Sequence, residues 1–260
     1  MRTRPFSFPS ANNSGFIELF AENVKGRRRY LSRQRNGMEQ RSDRRLTMKI
    51  ALIGATGFVG SAILQEALDR GHEVMAIVRH PEKLQPHAKL RPQKGDVYHQ
   101  DEVARLITGQ DAVISAFNPG WHNPDLYNQQ IKGTRAILDG VKKAGVKRLL
   151  FVGGAGSLEV KPGVQGVDTP DFPNEWKQGA LATREALHML RKETGLEWSF
   201  LSPSADLSPG QRTGKFQLGK DQLLVDASGK SRISIEDYAM AMIEEVEHPR
   251  HIRQRFTVGY

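Results

Sequence analysis

The residues best placed by type and spacing to do chemistry are the glycines of Gly54-Ala55-Thr56-Gly57-Phe58-Val59-Gly60. They follow the apolar run Ile50-Ala51-Leu52-Ile53 and precede a stretch of helical periodicity. A glycine triplet counts only in that strand–turn–helix setting. There, Gly54 permits the tight turn, Gly57 lets the backbone approach a pyrophosphate with no Cβ in the way, and Gly60 allows the helix to pack closely on the sheet. The first N–H groups of the helix point at the phosphates, and the helix dipole favours their charge. The turn therefore implies a bound dinucleotide, contacted by Gly54, Thr56, Gly57, Phe58, Val59 and Gly60.

The residue after the second strand discriminates between dinucleotides. An Asp or Glu there holds a ribose 2′-hydroxyl, whereas here Val78 is followed by Arg79-His80. A guanidinium suits a 2′-phosphate by charge and by bidentate geometry, which favours NADPH, with NADH as the alternative. Lys83 stands four residues on and is placed to assist. Ser115, Ala116 and Phe117, at the end of the fourth strand, are expected to line the cofactor, because ligands of such sheets sit beyond the carboxyl ends of the strands.

These residues need a scaffold, and the rest of the chain supplies an alternation of strand and helix. Strands are expected at 50–53, 74–78, 90–94, 112–117, 149–152, 198–201 and 255–258. Short continuous apolar runs of this kind suit strands buried on both faces. Pro92 restricts the third to an edge or an irregular strand. Helices are expected at 57–70, 101–108, 126–144 and 180–193, with Gly71, Gly145 and Gly195 placed to close three of them. Ser234-Ile235-Glu236-Asp237 reads as the start of another. Strands alternating with helices imply an α/β fold, a doubly wound, Rossmann-like parallel sheet with right-handed crossovers. One domain is expected over 48–260.

Composition narrows the function classes. The 260 residues are 38% hydrophobic, enough for one sizeable core. There is no cysteine, which removes disulfides, thiolate zinc sites and cysteine nucleophiles and fits a reducing, cytoplasmic setting. The eight histidines show no ligand spacing, so no metal site is expected. No apolar run approaches the ~20 residues of a membrane helix, and no membrane association is expected. The net charge of +9 is concentrated at the N-terminus. Residues 1–47 hold ten Arg and one Lys against Glu18, Glu22, Glu39 and Asp43, a net of +7, which leaves +2 for 48–260. The folded domain is therefore not expected to bind nucleic acid. The Arg-, Ser- and Asn-rich segment 1–47 fits an organelle presequence, a nucleic-acid arm or a disordered extension; its four acidic residues and low apolar content favour the last.

The triplet spacing is G-x-x-G-x-x-G, and here the chain resembles the atypical short-chain dehydrogenase/reductases. It is most similar to their NADH-flavin reductase-like family. The residues that carry the resemblance are 51–79, Gly153-Gly154-Ala155-Gly156-Ser157-Leu158, Asp168-Thr169-Pro170-Asp171-Phe172-Pro173 and Arg232-Ile233-Ser234. It extends over 48–260 and leaves 1–47 uncovered. The resemblance implies that Asp96 and Val97 lie beside the adenine, that Gly153 belongs to the cofactor site, and that Ser202-Pro203-Ser204 covers the nicotinamide.

The superfamily's usual catalytic set is a Ser, then a Tyr four residues before a Lys. Ser157 is the corresponding Ser, but no tyrosine occurs between Tyr127 and Tyr238. Relatives carry Tyr where Trp176 stands, and an indole has no ionisable hydroxyl, so proton transfer to an alcohol or ketone loses its donor. No catalytic side chain is assigned. A planar acceptor such as a flavin or quinone takes hydride directly from the nicotinamide and a proton from solvent. The expectation is an NAD(P)H-dependent reductase of such an acceptor. Its pocket is expected from loops 153–157 and 167–176, with Asn118-Pro119-Gly120-Trp121-His122 supported only by its position. A non-catalytic NADP(H)-binding redox sensor is the alternative. A nucleotide-sugar epimerase fits less well, given the missing tyrosine and the short segment 202–260. Oligomeric state is not legible.

Overall fold

The structure, a computed structural model, describes residues 47–260. The expectations for 1–46 lie outside the described residues.

The strand β1 (Lys49–Ile53) is buried from Ile50 onward. Its side chains alternate between two cores. Ile50 and Leu52 belong to the cluster that also holds residues of α1 (Phe58–Asp69) and α5 (Ile235–Glu247). Ala51 and Ile53 face the cluster formed with α2 (Gln100–Ile107), α3 (Leu126–Ala144) and α4 (Asn174–Arg191). A strand must be apolar on both faces to sit between two helical layers, which is why 50–53 is an unbroken apolar run.

The chain continues outward through β2 (Glu73–Val78) and β3 (Leu90–Lys94). It then returns to the other side of β1 with β4 (Ala112–Ser115) and β5 (Arg148–Val152). Beyond them come the hairpin β6 (Glu159–Lys161) and β7 (Val164–Gln165), then β8 (Glu197–Ser202), β9 (Asp206–Ser208), β10 (Gln217–Gly219), β11 (Arg232–Ser234) and β12 (Gln254–Gly259). The main sheet has eight strands in the order β10-β12-β8-β5-β4-β1-β2-β3. It is parallel throughout except for the antiparallel edge pair β10–β12. β3 pairs only with β2, so Pro92 sits in an edge strand, where a missing N–H is tolerated. The reversal between β1 and β4 is the switch point at which such sheets open a crevice beyond their carboxyl ends.

The Rossmann-like α/β class is as read from the sequence, and three differences are informative. β4 ends at Ser115, so Ala116 and Phe117 lie just past it. α4 begins at Asn174, six residues before the expected 180, with Pro173 as its N-cap. Residues 174–178 are largely exposed and carry no apolar period, so the first turn gave no helical signal. β10 and the small sheets β6–β7 and β9–β11 are too short for a periodic pattern. Ser234 caps α5 as expected, its Oγ accepting from the Asp237 N–H at 3.1 Å.

Candidate functional site

A cleft of about 1090 Å³ runs along the carboxyl ends of β2, β1, β4, β5 and β8. That exceeds the ~300–1,000 Å³ of ordinary ligand pockets, so there is room for more than one small molecule. Gly54, Thr56, Gly57, Phe58, Val59, Gly60, Arg79, Asp96, Val97, Ala116, Phe117 and Gly153 all line it. Ser115 does not. Its hydroxyl is buried and has no hydrogen-bond partner.

The glycines of the turn have distinct reasons. Gly54 adopts φ +84°, and a Cβ there would lie 2.6 Å from the Ala116 carbonyl oxygen. A Cβ on Gly60 would overlap the Gly54 carbonyl. Gly54 is thus demanded by its left-handed conformation and by the backbone that follows β4, and Gly60 by the packing of α1 on the turn. Gly57 is different: φ is −80°, which any residue adopts, and its Cβ would meet only the Gly54 oxygen, at 3.3 Å. The fold gives Gly57 little reason to be glycine, and an approaching ligand gives one. Among the described residues no side chain caps α1, and no acidic residue stands in its first turn. Its leading N–H groups are left for an anion at a dipole end that favours one. The donor set therefore fits a pyrophosphate.

At the β2–β3 end, Arg79, His80 and Lys83 line the cleft beside Asp96. Asp96 closes its own loop, its Oδ1 accepting from the Tyr98 N–H at 3.0 Å. Tyr98 packs edge-on against Phe117, with centroids 5.8 Å apart, and burial pushes its phenol pKa up.

At the β4–β5–β8 end the lining changes to aromatic and small residues. Gly153, Gly154, Ala155 and Gly156 contribute, with Thr169, Phe172, Pro173 and Trp176 opposite. Ser157 is buried below them, outside the lining, where its carbonyl accepts from the Arg255 guanidinium at 3.2 Å. Trp176 stands on the first turn of α4 rather than in a loop. Its indole meets that of Trp121 edge to face, with centroids 4.9 Å apart at 85°. The loop after β4, supported in the sequence only by position, thus supplies Asn118, Pro119 and Trp121 to the wall, while His122 stays out of it. Gly179 makes this possible, because a Cβ there would come within 3.0 Å of the Trp121 ring. Phe58, Trp121, Val160 and Trp176 all line the cleft, and they are half of the large hydrophobics exposed among the described residues. Exposed apolar surface gathered in a concavity marks a binding site.

Pro203 and Ser204 line the cleft as well, whereas Ser202 is buried with its hydroxyl unpartnered. Sequence reasoning missed Gln130. This residue of α3 lines the cleft while only 7% exposed. Its Nε2 donates to the Phe117 carbonyl at 3.2 Å and, among the described residues, its Oε1 has no partner. A buried amide oxygen without a donor is costly, and a ligand hydroxyl or amide would satisfy it. The only signal was a polar residue on the inward face of an amphipathic helix.

Comparison with known proteins places this geometry in context. A family model described as NAD(P)H-binding matches residues 54–249. An uncharacterised Bacillus subtilis protein, YwnB, is 44% identical over 214 residues, covering 81% of this chain and 98% of its own. A crystal structure of a Bacteroides thetaiotaomicron protein, provisionally named an epimerase, superposes with a TM-score of 0.78 at 53% identity, covering 82% of this chain and 97% of that one. A Streptococcus pneumoniae protein, provisionally named an NADH-flavin reductase, superposes with a TM-score of 0.71 at 37% identity, covering 82% and 99%.

Proposed function

The chain belongs to the NAD(P)H-binding family, and from that premise we propose that it is a reductase that uses NADPH to reduce a planar acceptor of the flavin or quinone kind. The observation that carries the reading is the composition of one cleft. A glycine turn and a helix N-terminus suited to a pyrophosphate open directly onto an aromatic chamber walled by Trp121, Phe172 and Trp176. Aromatic side chains prefer flat partners, against which they stack or meet edge to face.

In this reading the chain binds and orients rather than exchanging protons with the substrate. The first-turn N–H groups of α1 hold the pyrophosphate, and Arg79 with Lys83 holds the 2′-phosphate. Asp96 and Val97 flank the adenine. Gln130 offers its free Oε1 to a donor on the nicotinamide half of the cofactor. When bound, the dihydronicotinamide supplies a hydride to the acceptor, which takes its proton from solvent. Trp121 and Trp176 would hold the acceptor ring beside the nicotinamide and exclude water from one side of it. Holding two reactants in register supplies much of the rate advantage in such a transfer.

The S. pneumoniae relative's name agrees with this reading, and the B. thetaiotaomicron relative's name points to an epimerase. Epimerisation through a ketone needs a positioned acid–base group. Among the described residues the only tyrosine lining the cleft is Tyr98, beside Asp96 at the β3 end. The same observation favours a second reading, an NADP(H)-binding sensor without turnover. Anaerobic stopped-flow oxidation of NADPH and NADH, with riboflavin and a quinone as acceptors, separates the two. Saturable turnover that prefers NADPH is expected. Tight NADPH binding with no acceptor-dependent oxidation would leave the sensor.

A further inference from the structure

The cleft is polarised in charge as well as in shape. Its basic side chains, Arg79, His80 and Lys83, stand together at the β2–β3 end. Among the described residues, the aromatic chamber has neither Lys nor Arg in its lining; the charged side chains there are Asp171 and Asp206, both exposed. Asp171 precedes Phe172 on the wall below Trp176, and Asp206 begins β9 just after Pro203, Ser204 and Ala205. Arginines on the neighbouring α4 and β12 do not compensate. Arg184 is held by Asp168 at 2.8 Å, and the Arg255 guanidinium by Asp221. Lys177 follows Trp176 but does not line the cleft.

A site built for a phosphorylated or sulfonated ring would place a cation where the anionic group lands, as the β2–β3 end does. The chamber does the opposite, and like charges facing a bound ligand are a means of rejecting it. We propose that the acceptor is a planar molecule without a phosphate or other anionic group, and that Asp171 and Asp206 are the residues that discriminate against anionic forms. The inference rests on the reductase reading for the word acceptor. The selectivity itself is a property of binding and is measurable without turnover.

Two matched pairs test it on the full chain: riboflavin against FMN, and 1,4-naphthoquinone against its 2-sulfonate. Quenching of the tryptophan fluorescence of the NADP⁺-saturated protein reports binding, and stopped-flow oxidation of NADPH without added NADP⁺ reports turnover. The uncharged member of each pair is expected to bind roughly tenfold more tightly, a difference of about 1.4 kcal/mol. In Asp171→Asn with Asp206→Asn, the ratio should fall at least threefold because the anionic member gains. Asp171→Asn alone serves if the double variant does not fold. Equal or tighter binding of FMN and the sulfonate would overturn the proposal, as would a ratio unmoved by the substitutions. Selective binding of the uncharged members without NADPH oxidation would support it while removing the reductase reading. No binding by any of the four would overturn both.

Discussion

Trp121 and Trp176 meet edge to face with their ring centroids 4.9 Å apart, although 55 residues separate them. Trp121 reaches α4 only because Gly179, one turn beyond Trp176, leaves room for its ring. The pair forms a wall fixed from two sides, one element supplying each indole. If that wall orients the acceptor, Trp176→Ala should raise the acceptor KM by about three- to tenfold, the 0.5–1.5 kcal/mol of an aromatic contact. Trp176→Phe should recover most of the loss. NADPH affinity, read by fluorescence transfer to the bound dihydronicotinamide, should move much less than the acceptor KM. Equal losses in both would mean that the indole braces the whole cleft.

Arg79 lines the cleft immediately after β2, with Lys83 and His80 beside it. A charge-assisted hydrogen bond to a phosphate contributes about 1.5–3 kcal/mol. Arg79→Ala is therefore expected to weaken NADPH by about ten- to a hundredfold. The Kd for NADH should stay within about twofold on this account, since NADH has no 2′-phosphate to lose. Titration calorimetry with both dinucleotides checks this, and parallel weakening of the two would remove the NADPH assignment.

Two glycines of the same turn should fail in different ways. Gly60→Ala puts a methyl group onto the Gly54 carbonyl, backbone against backbone. Overpacking of this kind costs about 1–3 kcal/mol or more. For a domain of this size, that lowers Tm by several degrees, at about 2–4 °C per kcal/mol. Gly57→Ala meets only one oxygen at 3.3 Å and should leave Tm nearly unchanged while weakening the dinucleotide. Thermal scans with and without NADP⁺ separate the cases. The ligand-induced rise in Tm should disappear in Gly57→Ala even though the apo protein melts normally.

The acid limb of stability should report Glu245. Its carboxylate is buried beside Arg148, whose Nη2 lies 2.7 Å away, and it also accepts from Ser199 Oγ at 3.0 Å and the His251 N–H at 2.9 Å. Burial pushes the carboxyl pKa up. The His251 side chain, the N–H groups of His251 and Arg250, and the Arg148 guanidinium outweigh it, so the net shift is downward. A depressed folded-state pKa stabilises the fold fully above the ordinary glutamate value of about 4.3, and that contribution is lost as pH falls through the folded value. Urea midpoints should therefore drop below about pH 4.5. Glu245→Gln should be less stable at neutral pH, by about 3–5 kcal/mol for an uncompensated buried partner, and should show a shallower acid limb. An acid limb of undiminished slope in the variant would place the titration on other carboxylates.

The glycine-turn half of the cleft was legible in the sequence because its determinants are local. A turn, its flanking strand and helix, and the residue after β2 are read within about 30 residues, and the 2-versus-3.6 periodicity fixes which faces are buried. The reason for Gly60 lies in that same short stretch and the cap at Ser234 within its own four residues, whereas Gly54 is also pressed by the Ala116 carbonyl, 62 residues away. Ser115 shows the limit even here. Its strand was correctly placed, but which way its hydroxyl points depends on the pleat, and it points into the core.

The half of the cleft around Trp121 and Trp176 was decided by tertiary structure. Trp121, Phe172, Trp176 and Asp206 come from segments whose own patterns carry no mark of one another. They meet because β4, β5 and β8 lie side by side and release their loops at one edge. Ser157, the residue a motif would single out, is drawn beneath the floor by Arg255, 98 residues away, and Gln130 is turned inward by the packing of α3. Local sequence fixes backbone conformation through sterics and hydrogen bonding over a few residues. Which side chains share a cleft is set by the order of strands in the sheet, and that order depends on burying apolar surface between segments far apart in the chain.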